Sequence, residues 1–217
     1  MRVTRRVLTA GAAVIAASLL CFAPGALASS MVTSSGGMIL VTEASTSSST
    51  VTVGLDPTQP NRYLIVDSAG ISTSSPPCQL EGPTVARCPA AGITAIGVGL
   101  GAFNDVFAPA GAGIEPGARI SVSGDAGDDA LTGRGGSANA KNDLLRGGSG
   151  DDTLRGLGDR DTIIGAGGND RIFGGKGRDF LRGNAGADRI NGGKGRDQAD
   201  GGPGRDRFRS VERIKRR

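Results

Sequence analysis

GGSGDDTLR (147–155), GLGDRDTII (156–164), GAGGNDRIF (165–173), GGKGRDFLR (174–182), GNAGADRIN (183–191), GGKGRDQAD (192–200) and GGPGRDRFR (201–209) follow one another without an insertion. Glycine opens every unit and aspartate holds the sixth place in every unit. The eighth place is apolar: Leu154, Ile163, Ile172, Leu181, Ile190, Ala199 and Phe208. Two earlier units join the series. GDAGDDALT (124–132) contributes Leu131, and a looser unit from Gly133 to Arg146, five residues longer, contributes Leu145.

A nine-residue period of this kind has a direct physical reading. The Gly/Asp/Asn-rich first half makes a turn, because glycine tolerates positive φ and close backbone approach. The last three places make a short strand with one apolar side chain inward. So short a strand has no core of its own, and stacking supplies one. Two units per coil predict an all-β fold, a parallel β-roll (β-solenoid) with two sheets and about 4.8 Å per coil. Nine units then span about 22 Å.

The pattern G-G-x-G-x-D-x-U-x, with U apolar, resembles the haemolysin-type calcium-binding repeats of the repeats-in-toxin (RTX) family over residues 124–209. The resemblance implies calcium as the cofactor, with sixth-place carboxylates and turn carbonyls as ligands. Successive units alternate between the two edges of the roll. The first edge is expected to carry Asp129, Asp152, Asp170, Asp188 and Asp206, and the second Asp143, Asp161, Asp179 and Asp197. One ion per neighbouring pair of turns makes seven sites at most, provided that the insertion near Ala138 bulges out without shifting the phase. A glycine-rich linker with merely solvated aspartates would not need Asp so regularly in one place.

The repeats depart from an acidic pattern. Residues 124–206 hold 14 acids and 13 bases. First-edge turns add Asp128, Asp151 and Asn169, whereas second-edge turns add Arg160, Lys176, Arg178, Lys194 and Arg196. A cation beside a calcium site opposes binding, so the first edge is expected to bind more tightly. Asp159 stands where the pattern wants glycine, which casts doubt on that turn. Arg171, Arg189 and Arg207 recur every 18 residues and should stack as a ladder on one outer face, near Arg155 and Arg209. A solubilising surface is one reading. An anion-binding stripe for acidic polysaccharide or another cell-envelope polymer is the other.

Composition narrows the function classes. The chain has no His, which excludes Ser-His-Asp and Cys-His nucleophile sites. It has no Trp and one Tyr, so base-stacking platforms for nucleic acid lack material. Acids outside the repeats are few and carry no nucleophile signature, so a non-catalytic protein is expected rather than an enzyme.

The N-terminus reads as a leader. Arg2, Arg5 and Arg6 precede an apolar run from Val7 to Phe22, and Ala26-Leu27-Ala28 is a small-x-small cleavage site. Arg5-Arg6 also partly resembles a twin-arginine export signal, and an ordinary leader fits equally. Cleavage leaves 22 cations against 21 acids, no membrane span, and a secreted, extracellular protein. In that compartment Cys78 and Cys88 are expected to form a disulfide.

The expected organisation is a signal peptide over 1–28, a Ser/Thr/Val-rich β region over 29–117, the calcium-binding roll over 118–209 and a basic tail over 210–217. Strands are expected at Met38–Thr42, Thr50–Leu55, Tyr63–Ser68, Ile93–Leu100 and Arg119–Ser123. Residues Gly99 to Val106 look like a degenerate repeat turn. They suggest an irregular solenoid or β-rich cap leading into the roll, with a small separate sandwich as the alternative. The tail is expected to cap the last coil.

Overall fold

A computed structural model describes residues 30–43, 47–59, 61–73, 78–109, 114, 118–135 and 142–215. The leader and the insertion at 136–141 lie outside them. The first seven strands are β1 (Ser30–Ser35), β2 (Met38–Thr42), β3 (Thr50–Leu55), β4 (Arg62–Asp67), β5 (Ile71–Thr73), β6 (Gln79–Leu80) and β7 (Val85–Pro89). The next six are β8 (Ala95–Gly99), β9 (Val106–Pro109), β10 (Arg119–Ala126), β11 (Ala130–Thr132), β12 (Leu144–Ser149) and β13 (Thr153–Gly158). Then come β14 (Thr162–Gly167), β15 (Arg171–Gly177), β16 (Phe180–Ala185), β17 (Arg189–Gly195), β18 (Gln198–Asp200), β19 (Arg207–Arg209) and β20 (Arg213–Lys215).

From β8 onward consecutive strands alternate between two sheets. The first runs β20-β18-β16-β14-β12-β10-β8-β2-β1-β5 and the second β19-β17-β15-β13-β11-β9-β3-β4-β7-β6. Within the repeats every pairing is parallel and offset by one coil, as in Leu154↔Ile172 and Ile163↔Leu181. The fold is therefore the expected β-roll. Strands β12 to β17 are longer than three residues. Thr153–Gly158, for example, runs on through the first glycines of the next turn, because those residues keep pairing with the coil beside them.

The core is two columns of stacked side chains. One column is Val41, Val98, Val122, Leu145, Ile163, Leu181 and Ala199. The other is Val51, Phe107, Leu131, Leu154, Ile172, Ile190 and Phe208. All but Phe208 are buried, and Phe208 is half-buried at the C-terminal end. Each fully buried Leu or Ile contributes about 1.5–3 kcal/mol, realised only when the coils stack.

Both columns continue into the N-terminal region, so that region and the repeats share the same two sheets. The antiparallel pairs β1–β2, β3–β4, β4–β7 and β6–β7 then close this end. Cys78 and Cys88 are joined by a disulfide there. At the other end β20 pairs with β18, placing Ile214 beside Ala199, so the tail adds a strand to the roll. Among the described residues no helix is long and apolar enough to cross a membrane.

Candidate metal centre: two carboxylate ladders

The eighth-place side chain must point inward to reach the core, and this pins the sixth-place aspartate at the turn, two residues earlier. There the backbone N–H of each sixth-place residue donates to the carboxylate Oδ1 of the next coil. On the first edge Asp129 donates to Asp152 (2.8 Å), Asp152 to Asp170 (2.9 Å), Asp170 to Asp188 (3.0 Å) and Asp188 to Asp206 (3.1 Å). On the second edge Asp143 donates to Asp161, Asp161 to Asp179 and Asp179 to Asp197, each at 2.9 Å. The alternation expected from the sequence holds across the insertion, since β11 and β12 lie in opposite sheets.

Both ladders are longer than the repeats suggest. Asp105 N–H donates to Asp129 (2.8 Å), and Ser49 N–H donates to Asp105 (2.7 Å). Leu100–Ala108 is thus a full repeat unit in disguise, with Gly101 at φ 86° and Phe103 at φ 89° where glycines usually stand. At the far end Asp197 N–H donates to Glu212 of the tail. The signal for Asp105 is visible in its turn. Glu212 has none, because a glutamate in an unglycinated stretch matches no place in the pattern.

The second carboxylate oxygen is the chemically informative one. Oδ2 of Asp105, Asp129, Asp152, Asp161, Asp170, Asp179, Asp188 and Asp197 is buried without a hydrogen-bond partner. These residues are at most 2% exposed. Oδ2 of Asp129, Asp152, Asp161, Asp179, Asp188 and Asp197 lies against the opening glycine of its own unit, where a carbonyl of the next coil also closes in. A Cβ on Gly147 would collide with Asp152 Oδ2 and lie 2.8 Å from the Gly165 carbonyl. A Cβ on Gly174 would meet Asp179 Oδ2 and lie 2.6 Å from the Gly192 carbonyl. Glycine leaves a cradle lined by carboxylate and carbonyl oxygens.

Burial is the main force on these carboxyls, and it disfavours ionisation. It pushes Asp129, Asp143, Asp170 and Asp179 up to about 6, Asp152 to about 7 and Asp161 to about 8. The ladder hydrogen bonds oppose the rise, and neighbouring aspartates add to it. Asp105, Asp188 and Asp197 shift the same way.

Among the described residues no three acidic, His or Cys side chains converge on one point. An ion here would draw on carbonyls together with a carboxylate or two. Orphaned anionic oxygens beside carbonyls, with no nitrogen or sulfur donor, suit a hard cation with flexible oxygen coordination, which is the chemistry of calcium.

Residues 137–172 and 173–208 match the family described as RTX calcium-binding nonapeptide repeat (4 copies). The repeats belong to that family, and they bind calcium. No curated protein and no solved structure matches the chain.

Outside the ladders the two edges of this RTX roll diverge. The fifth-place column of the first edge forms a second, outer ladder. Asp128 N–H donates to Asn104, Asp151 to Asp128, Asn169 to Asp151 and Ala187 to Asn169. On the second edge Arg160, Arg178 and Arg196 hold this place, all exposed. The doubtful turn at Asp159 forms, with Asp159 held at φ 77° in the glycine position.

Proposed function

We propose that this is a secreted, non-catalytic protein whose roll is folded or stabilised by calcium held between stacked Gly/Asp turns. The observation that carries the proposal is the row of buried, partnerless Oδ2 atoms, six of which share their cradle with a carbonyl of the neighbouring coil. Stacking so many carboxylates away from water is costly unless they are protonated or met by cations. Asp129, Asp152, Asp170, Asp188 and Asp206 would hold the ions of the first edge, with Asp105 extending the row. Asp143, Asp161, Asp179 and Asp197 would hold those of the second. The ion supplies charge neutralisation, and the chain supplies the oxygens and the spacing.

Secretion rests on the leader-like residues 1–28 and on the disulfide, which belongs to an oxidising compartment. Extracellular calcium then orders the roll after export. The test is far-ultraviolet circular dichroism on residues 29–217 in chelator and across a calcium titration, with magnesium as control. A β-rich spectrum gained only with calcium is expected. A spectrum indifferent to calcium would overturn the reading.

A second reading concerns the outer face of the sheet that carries β15, β17 and β19. Arg171, Arg189 and Arg207 lie in register on adjacent strands, as do Lys176 and Lys194. All five are exposed. Arg155 lies over the Phe173 ring at 5.2 Å on the same face. Cations repeating once per coil fit a linear polyanion, such as an acidic polysaccharide or a cell-envelope polymer. Substituting Arg171, Arg189 and Arg207 with Ser should reduce retention on heparin and polygalacturonate columns. Unchanged retention would leave the face as a solubilising surface.

A further inference from the structure

The second ladder begins with an irregularity. Strand register places Ser121 beside Leu144 and Val122 beside Leu145, so Ile120 stands where the coil before Asp143 should carry its aspartate. Ile120 is fully buried, and its N–H still donates to Asp143. This interval of the second edge has a carboxylate on one side and a hydrocarbon on the other.

Arg134 fills it. The residue is 5% exposed. Its Nη1 donates to the Ala118 carbonyl at 2.8 Å, in the preceding coil. Its Nη2 lies 3.6 Å from Asp143 Oδ1, and its backbone N–H donates to Asp143 Oδ2 at 2.6 Å. One guanidinium thus joins a carbonyl of one coil to a carboxylate of the next. Those are the two kinds of oxygen that meet in the cradles further along.

The local backbone supports a special role. Arg134 is the second residue of its unit. Second-place residues elsewhere in the roll have positive φ, including the non-glycines Asp125, Leu157, Ala166 and Asn184, and Arg134 does not. Among the nine units from Gly124 to Arg209, the nine-residue period is broken only in this one. The turn differs where the side chain must point between coils instead of outward.

We infer that Arg134 is a built-in cation that closes the first interval of the second ladder, so that this interval takes no calcium. The inference rests on the calcium reading of the other intervals. A guanidinium stays charged at any accessible pH and makes directional bonds to carbonyl and carboxylate. The coil beside the N-terminal cap can therefore close without metal and offer a formed edge to the ion-dependent coils that stack on it.

The test compares the full chain with Arg134→Ala and Arg134→Lys, using calorimetric calcium stoichiometry and urea midpoints in chelator and in saturating calcium. Arg134→Ala should bind about one more calcium per chain, because Asp143 and the Ala118 carbonyl are released to an ion. Its midpoint should fall further in chelator than in calcium, and Arg134→Lys should recover part of the chelator loss with unchanged stoichiometry. Equal losses in both conditions with no added ion would make Arg134 an ordinary buried ion pair and overturn the inference. Should Arg134→Ala fail to fold, Arg134→Lys decides, since a chelator loss no larger than its calcium loss likewise overturns the inference. A flat wild-type calcium isotherm would instead bring down the calcium reading, and this inference with it.

Discussion

On the first edge of the roll, the side chains outside the aspartate ladder are Asn104, Asp128, Asp151 and Asn169, each accepting an N–H from the next coil. On the second edge, the same column holds Arg160, Arg178 and Arg196, with Lys176 and Lys194 beside it. From Asp152 on the first edge and from Asp143 on the second, the inner ladders repeat the same backbone bond every 18 residues. The contrast separates two jobs. Stacking geometry is set by glycine and by the sixth-place aspartate, while the charge that an arriving cation would meet differs one residue earlier, at the surface.

The largest expected effect tests what the edges share. Raised aspartates are harder to ionise in the folded chain than in the unfolded one. Without calcium their contribution to stability is complete below about pH 4 and is lost as pH rises through about 6 to 8. In chelator, the urea midpoint should therefore fall from pH 5 to pH 8. In saturating calcium it should rise over the same window, because binding requires the ionised form. Parallel curves in the two conditions would break the link between ladder and ion.

Next in size is Gly150→Ala on the first edge. A Cβ at φ 130° would run into the Gly127 carbonyl of the neighbouring coil. A loss of about 2–4 kcal/mol is expected by chemical denaturation in calcium. The edges themselves are compared by Asp170→Ala and Asp179→Ala. The first should weaken calcium binding about tenfold and the second about threefold or less, since cations near Asp179 oppose an ion there. Equal losses by calorimetry would remove the distinction.

Asp159→Gly sharpens it from the other side. Asp159 sits at φ 77° in a glycine place, and glycine there should stabilise the second edge by about 1 kcal/mol in chelator. The smallest effect is expected from Arg178→Asn with Arg196→Asn, a gain of about threefold in calcium affinity at low salt that fades as salt screens the charges.

Much of this architecture is legible in the amino-acid sequence. The coil length, the two edges, the stacked Arg171, Arg189 and Arg207 and the buried eighth-place residues all follow from one period, because each residue's neighbour is the residue 18 positions on. Strands at Met38–Thr42 and Thr50–Leu55 are legible from their β-branched and apolar alternation. The antiparallel pairing of β3, β4 and β7 is not, since nothing local says which strand a non-repeating strand will meet.

The sequence by itself determined that this chain carries an RTX roll with calcium chemistry at its turns, because a repeat encodes its own partner: the unit that must stack is the unit that is there. Only the tertiary structure decided where the roll starts and stops. Glu212 joins a ladder and Arg134 closes one through contacts between residues whose local sequence does not match the period. Their roles come from the coil that happens to lie beside them, and that neighbour is set by stacking.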